Sequence, residues 1–518
     1  MEKALYLGNE AVARGAWEAG VKVCSSYPGT PSTEITETVS KYPEINSEWA
    51  TNEKVAMEVA YGAAVGGARA MTCMKHVGLN VAADPLFTAA YTGVNAGLVA
   101  VVADDPFMFS SQNEQDSRLY ARSAHVPLLE PADAQECRDF MKLAFELSEG
   151  YDTPVLLRLT TRIAHARSPV TLGERAERAI LPYKKDMRKY VMMPAMARGR
   201  HLAVEEREKK LGVNCNKMEI NRAEYRDLRI GVVCAGACYQ YVREAAPEVS
   251  VFKVGMSYPL PVAAIAEFAE KVEKLIVIEE LEPFMENQLR AHGVACSGKD
   301  KTGLQGELSV LKIREILTGE KADLPQLPAM PGRPPALCPG CPHRVTFQQL
   351  KKRGLTVFGD IGCYTLGALP PLSSVDTSLC MGASIGMAFG MEKARGKEFS
   401  RHAVAVIGDS TFMHSGITPL IDACYNGGTI TVLVLDNRIT GMTGHQENPA
   451  SGFNIHGEPA PALDLEALCR ACGAASVRTV DPFDVKAFDA ALEEELAREA
   501  VSVLIVKRPC VVLKGGRK

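Results

Sequence analysis

Two runs of aliphatic residues, each stopping at a hard oxygen donor, constrain this chain more than any other feature. The first is Val404-Ala405-Val406-Ile407-Gly408-Asp409-Ser410. The second is Thr431-Val432-Leu433-Val434-Leu435-Asp436-Asn437, with Asn437 falling 28 positions after Asp409. Such runs read as parallel strands buried on both faces, whose last residues project from the carboxyl edge of a sheet. The stretch from Ile417 to Tyr425 reads as the helix joining them. A magnesium ion holding a diphosphate asks the protein for a carboxylate and a neutral oxygen, because phosphate oxygens and water fill the rest of its octahedron. Asp409 and Asn437 supply that pair, with the backbone carbonyl of Ile439 as a third ligand. Gly408 and Ser410 are small enough to admit the phosphates to the backbone, and the following helix can offer them free N–H groups. The bland alternative is an ordinary α/β unit in which Asp and Asn form turns.

At 518 residues, 47% of them hydrophobic, the chain is long enough for about three domains. From residue 1 to 168, strand candidates at Val21 to Ser25, Ala70 to Lys75, Gly97 to Ala103 and Pro154 to Thr160 alternate with amphipathic helices, which implies a parallel sheet. Residues 171–228 are dense in Arg, Lys and Glu and read as a charged helical connector over the surface. A smaller α/β series occupies 229–323, through Ser250 to Val254 and Lys274 to Glu279. Residues 324–335 contain Pro325, Pro328, Pro331, Pro334 and Pro335 and read as an extended linker. The third domain, 336–518, carries Asp409 and Asn437. The expected class is α/β with three parallel-sheet domains.

The 58 basic and 62 acidic residues leave no field for capturing nucleic acid. The N-terminus lacks the apolar core of a signal peptide, and no stretch approaches the roughly 18 uninterrupted apolar residues of a membrane span. A soluble, cytoplasmic protein with no membrane partner is expected. Its 15 cysteines are then thiols, metal ligands or packing groups. Cys24, Cys73, Cys137 and Cys234 lie in apolar patterns and read as core.

A diphosphate site of this kind suits thiamine diphosphate, whose aminopyrimidine ring needs a Glu at its N1′ nitrogen. That hydrogen bond favours the imino tautomer that removes the C2 proton. The segment Thr51-Asn52-Glu53-Lys54-Val55-Ala56-Met57-Glu58 puts Glu53 in the first turn of a helix rich in small residues. Helix electrostatics alone would also place an acid there. Glu58 is the competing carboxylate, one turn deeper. In Tyr27-Pro28-Gly29-Thr30-Pro31-Ser32, a strand end breaks into a turn and a helix, so Thr30 can face a substrate and Ser32 is the expected N-cap. Lys75-His76-Val77-Gly78-Leu79-Asn80 reads as another strand end, where Lys75, His76 and Asn80 suit a 2-oxo acid carboxylate.

Cysteines gather in the third domain. Leu337-Cys338-Pro339-Gly340-Cys341-Pro342-His343 is a C-x-x-C turn, Cys363 ends Gly359-Asp360-Ile361-Gly362-Cys363, and Cys510 follows Lys507-Arg508-Pro509. A pair, a single and a distant single can ligate a [4Fe–4S] cluster. Structural zinc is the rival, although it usually draws on two short knuckles and only one is present here. Cys380, Cys424, Cys469 and Cys472 are alternative fourth ligands.

Taken together these motifs resemble the 2-oxoacid:ferredoxin oxidoreductases, and within them the large (alpha) subunits of the indolepyruvate ferredoxin oxidoreductase family, over nearly the whole chain. The resemblance extends through Met381-Gly382-Ala383-Ser384-Ile385-Gly386 and Arg438-Ile439-Thr440-Gly441-Met442-Thr443-Gly444. It implies a pyrimidine-binding domain and a diphosphate-binding domain with a transketolase-C-terminal-like domain between them. It also implies that Glu53 contacts the pyrimidine, Thr30 lies near the 2-oxo acid, and Asp409, Asn437 and the Ile439 carbonyl bind Mg²⁺. Asp360, Gly362, Met381 and Gly382 fall among the cofactor contacts, and Cys338, Cys341, Cys363 and Cys510 match the cluster pattern. The reaction implied is oxidative decarboxylation of an aryl 2-oxo acid to an acyl-CoA, with coenzyme A as cosubstrate and electrons passing to ferredoxin. A smaller beta (gamma-type) subunit is the implied partner, and a homodimer is expected because two-domain thiamine sites often cross a dimer interface. The family's C-terminal two-cluster ferredoxin run is missing before Lys518, so a ferredoxin-like subunit or external carrier is expected to take the electrons. The rival functions are a non-oxidative 2-oxo acid decarboxylase and a catalytically silent scaffold that binds the cofactor.

Overall fold

Continuous apolar runs flanked by amphipathic helices become parallel strands here, as their doubly buried faces require. The computed structural model describes residues 2–321 and 332–513. The chain divides into two compact units, Met1–Gln326 and Leu327–Lys518.

The first unit holds a seven-stranded sheet in the order Met256–Tyr258, Leu128–Leu129, Val155–Thr160, Leu98–Asp104, Ala70–Lys75, Val23–Ser26, Asn46–Trp49. Every residue of Leu98–Asp104 and Val155–Thr160 is buried, which explains why neither strand alternates in sequence. A four-stranded sheet runs Lys274–Ile278, Asp227–Ala235, Val249–Val254, Arg222–Glu224. The sheets are parallel only in their centres: Met256–Tyr258 pairs antiparallel with Leu128–Leu129, Arg222–Glu224 pairs antiparallel with Val249–Val254, and Lys3–Leu7 forms an antiparallel ribbon with Arg167–Thr171. Residues 1–168 and 229–323 also share one core, in which Met74, Val102 and Leu128 cluster with Val233, Phe252 and Phe268. The cause is local. The Glu130 N–H donates to the Gly255 carbonyl at 2.8 Å, which draws Met256–Tyr258 onto the edge of the first sheet.

The connector contains one long helix, Pro194–Asn214, and is otherwise largely irregular before it. Arg207 on that helix is buried and donates to the carbonyls of Ala90 (2.9 Å) and Asp152 (3.0 Å). The connector is therefore pinned by backbone acceptors as well as laid on the surface.

The second unit has a five-stranded, wholly parallel sheet in the order Thr356–Phe358, Ala403–Gly408, Thr431–Asp436, Ser502–Lys507, Ser476–Val480. Within the expected linker, Pro325, Pro328 and Pro331 lie outside the described residues. Pro334 and Pro335 are exposed and without regular structure.

Charge is buried where the two sheets of the first unit meet. Arg118 donates to Asp116 (2.6 Å), Glu279 (2.7 Å) and the Glu280 carbonyl (3.0 Å), while Arg158 donates to Asp104 and Glu130, both at 2.6 Å. Beside them, burial pushes the Glu280 carboxyl up to about 7, against the hydrogen bond it accepts from the Leu308 N–H. A carboxyl raised in this way keeps its proton in the folded state between the usual 4.5 and about 7, so folding stability falls as pH rises through that window. Glu280→Gln keeps the acceptor and removes the titration. It is expected to flatten this part of the pH dependence and to gain up to about 3 kcal/mol at pH 8, measured as urea unfolding free energies at pH 5, 6, 7 and 8.

Candidate functional site

The ladder of the second unit sets the position of its oxygen donors. Ala403–Gly408 and Thr431–Asp436 pair in parallel, with Gly408 opposite Leu435, so Asp409 and the Asp436-Asn437 pair leave the same edge side by side. Asp409 is buried. Its Oδ1 accepts the Ser410 N–H at 2.8 Å and its Oδ2 the Arg438 N–H at 2.9 Å. Burial, and then the neighbouring Asp436 carboxylate, push Asp409 up to about 7. A buried carboxylate beside the Asn437 amide oxygen is the kind of donor pair a hard divalent cation takes, so Asp409 and Asn437 fit a magnesium-held diphosphate. Asn437 Oδ1 accepts the Ile439 N–H at 3.1 Å, and Ile439 is buried next to it.

Gly408 is small for a visible reason: a Cβ there would stand 2.6 Å from the Tyr364 ring. Ser410 accepts a hydrogen bond from the Thr440 hydroxyl at 2.9 Å. Downstream of Asp409 the helix opens into a π-helical turn, Phe412–Gly416, a distortion often found at functional sites.

Asp360 is reached by three backbone donors, the N–H groups of Ile361 (2.8 Å), Gly382 (2.8 Å) and Ser384 (2.9 Å). Burial raises its pKa and these bonds oppose the rise. Its carboxylate holds the turn that opens the helix Ala383–Arg395 through the Gly382 and Ser384 N–H groups. Gly362 donates to Thr365 Oγ1 at 3.1 Å, and Gly382 takes a left-handed φ of +86°.

The four sequence-predicted cysteines come together. Burial pushes Cys363 up to about 11, and Cys341, Cys510 and Cys338 each add to the rise; Cys341 is raised by burial and by the same neighbours. Cys338 is exposed, Cys341 is buried, and Cys363 and Cys510 are half-buried. No three His, Cys, Asp or Glu side chains among the described residues close on a single ion. A C-x-x-C pair with Cys363 and Cys510 near it is a soft thiolate donor set of the kind an iron–sulfur cluster takes. The proposed substitutes lie elsewhere. Cys424, Cys469 and Cys472 interact with one another, and Cys380 interacts with Asp360.

Two side chains absent from the sequence expectations join these groups. His343, buried in the first turn of Pro342–Lys352, faces Asn437 Nδ2 with its Nε2 at 3.4 Å and stands edge-on to Tyr364 at 6.0 Å. Burial lowers its pKa to about 4, so the ring is neutral and Nε2 can accept. Their only sequence signal was position, each one or two residues after a cysteine.

In the first unit, Asn52 caps the helix Glu53–Val65 through the Val55 N–H at 2.9 Å, and Glu53 at its start is buried. A Cβ on Gly78 would meet Glu53 Oε1 at 2.5 Å, so the absence of a side chain there is what gives the carboxyl its place. Glu58 is instead exposed and paired with Lys54. Lys75 ends its strand, but His76 to Asn80 open the helix His76–Thr92, which corrects the reading of all six residues as a strand end. Lys75 Nζ donates to the Ser110 carbonyl at 2.9 Å and His76 Nε2 contacts the Asn113 carbonyl at 3.1 Å; burial lowers both pKa values. Asn80 is exposed and accepts the Tyr120 hydroxyl at 2.5 Å, whereas Lys75 and His76 are buried. Thr30 is half-buried beside the loop, its carbonyl accepting the Ser110 hydroxyl at 3.3 Å. Ser32 occupies the N-cap position but makes no cap bond. Its hydroxyl donates to the Gly29 carbonyl at 2.8 Å, because the tight turn before the helix offers a nearer acceptor.

Comparisons with known proteins give the family. Residues 14–223 match the family described as pyruvate flavodoxin/ferredoxin oxidoreductase, thiamine diphosphate-binding, and residues 360–506 match the thiamine pyrophosphate enzyme C-terminal TPP-binding domain. Among solved structures, 2-oxoglutarate:ferredoxin oxidoreductase from Magnetococcus marinus shares the fold with a TM-score of 0.51 at 18% identity, over 61% of this chain and 65% of that one. Fold, site and family matches define a thiamine-dependent 2-oxoacid:ferredoxin oxidoreductase subunit. Indolepyruvate oxidoreductase subunit IorA of Methanothermobacter marburgensis is 43% identical over 99% of this chain and 88% of its own length. The corresponding subunit of Archaeoglobus fulgidus is 40% identical over 99% and 87%. The chain belongs to the indolepyruvate oxidoreductase subunit IorA family.

Asp360→Ala leaves three backbone donors without their acceptor. It is expected to cost roughly 3 kcal/mol or more, read as a lower unfolding midpoint of the second unit in urea.

Proposed function

We propose that this chain is the thiamine-binding subunit of an enzyme that oxidatively decarboxylates an aryl 2-oxo acid, with indolepyruvate as the model, to an acyl-CoA and passes the electrons to ferredoxin. The observation that carries the reading is the arrangement in the second unit. The Asp409 and Asn437 oxygens leave adjacent strand tips, and the Asn437 carbonyl accepts the Cys510 N–H at 3.0 Å, so a hard-cation site and a thiol group adjoin. The indolepyruvate oxidoreductase relatives support the aryl substrate. The M. marinus enzyme, of the same fold, was solved with 2-oxoglutarate, coenzyme A and succinyl-CoA bound.

Bound thiamine diphosphate would supply the electron sink for cleaving the carbon–carbon bond beside the ketone, and a [4Fe–4S] group a one-electron outlet. Asp409, Asn437 and the Ile439 carbonyl would hold the magnesium of the diphosphate. Glu53 would contact N1′ of the aminopyrimidine, and its burial would keep water from competing for that bond. Cys338, Cys341, Cys363 and Cys510 would supply the thiolates. Thr30, Lys75 and His76 receive the 2-oxo acid. A small beta subunit and a ferredoxin-type carrier complete the enzyme, with two copies of this chain, in the cytoplasm.

The test is an anaerobic assay of the purified chain, with and without the small subunit, using indolepyruvate, phenylpyruvate or pyruvate with CoA and a viologen dye. Dye reduction that needs both thiamine diphosphate and a 2-oxo acid supports the reading. Aldehyde release without dye reduction, from protein lacking iron and sulfide, would replace it with a simple decarboxylase. Glu53→Gln is expected to retain cofactor binding and lose at least ~100-fold in rate. Asp409→Ala is expected to abolish magnesium-dependent uptake of thiamine diphosphate, measured by calorimetry.

A further inference from the structure

The loop after the strand Leu98–Asp104 carries three large apolar side chains in water. Phe107 is 57% exposed, Met108 43% and Phe109 55%. Phe107 and Met108 also take left-handed φ values of +67° and +56°, a region that bulky residues avoid and that persists only where surroundings enforce it. The enforcement is visible. Phe107 N–H donates to Glu114 Oε1 (2.6 Å) and Met108 N–H to the Asp105 carbonyl (2.9 Å). Asp105 Oδ2 takes the Ser110 N–H (2.8 Å) and the Ser111 hydroxyl (2.7 Å), and its Oδ1 takes the Thr161 hydroxyl (2.8 Å). The two phenyl rings meet edge to face at 5.6 Å, and the Arg162 guanidinium, itself held by Glu307 at 2.6 Å, backs Phe109. A rigid aromatic tip is thus presented outward.

The base of the same loop touches the groups read as the 2-oxo acid site. Ser110, the residue after Phe109, receives Lys75 Nζ on its carbonyl and reaches the Thr30 carbonyl with its hydroxyl, while Asn113 engages His76. Lys75 is buried and donates to a neutral carbonyl, with Asp105 and Glu53 close enough to act on it, and a substrate carboxylate would be a stronger acceptor.

We propose that Phe107, Met108 and Phe109 are the side-chain selectivity surface of the enzyme: they pack on the aromatic ring of the 2-oxo acid whose carboxylate and ketone lie at Lys75 and Thr30. This rests on the function proposed above and names what selects its substrate. An aromatic ring on the substrate covers the exposed phenyls and gains edge or stacked contacts that a methyl group cannot make. The strained backbone keeps the tip in place before substrate arrives, so little ordering is spent on binding.

The experiment uses the holoenzyme with its small subunit and compares kcat/KM for phenylpyruvate and pyruvate. Phe109→Ala and Phe107→Ala are expected to lower the aryl value roughly 10- to 100-fold and the pyruvate value less than about 3-fold. Lys75→Met is expected to lower both alike. As a readout apart from turnover, phenylpyruvate should protect residues 106–111 from hydrogen exchange and pyruvate should not. Equal losses on both substrates, an unchanged ratio with altered subunit assembly, or equal protection by both acids would overturn the proposal. If wild-type enzyme oxidises no 2-oxo acid, the functional reading falls. Protection of 106–111 by the aryl acid alone would then still support the ring site, and its absence would remove that too.

Discussion

Buried carboxylates held by backbone N–H groups fix the working edge of the second unit. Asp409 is gripped by the amides of Ser410 and Arg438, and Asp360 by those of Ile361, Gly382 and Ser384. Side chains clamped by backbone do not depend on the rotamers of neighbours, so the donors stand where the strand ladder puts them. The parallel register of Ala403–Gly408 on Thr431–Asp436 then determines which oxygens adjoin. Nearly all else in the site is arranged around that edge: the ring of Tyr364 against Gly408, the turn at Gly382, and the π-helical turn that follows Asp409.

The first unit uses charge differently. Its buried acids are paired with Arg118 and Arg158 across the meeting of two sheets, and such pairs specify an arrangement more than they stabilise it. Geometry is thereby imposed on the loop between Asp104 and Asp116, because both of its ends are tied into this network. A loop anchored at both ends can carry unfavourable backbone at its tip without relaxing, which is the condition Phe107 and Met108 meet.

Much of this was legible in sequence because the information was local. Asp409 and Asn437 stand at the ends of uninterrupted aliphatic strands, Glu53 follows an Asn that caps a helix, and the cysteines sit in Pro- and Gly-marked turns; each signal needs only a handful of neighbours. What stayed hidden depends on distant partners. Nothing near Gly78 announces that Glu53 needs its missing Cβ, and nothing near Gly255 shows that Met256–Tyr258 will cross to another sheet. A three-residue edge strand is too short to carry a period. Ser32 illustrates a different failure: the residue type was right for a cap, but the turn at Gly29 competed for its hydroxyl and won.

Asn437 ties three segments of the second unit together. It is met at three atoms: side-chain Oδ1 by the Ile439 N–H, side-chain Nδ2 by the His343 ring, and its main-chain carbonyl by the Cys510 N–H. Two of those partners belong to the segments that bear the thiols. His343 and Cys510 therefore hold Asn437 against the two segments that carry Cys341 and Cys510. The aliphatic strands fix where Asn437 stands, and these contacts help to fix where its side chain points.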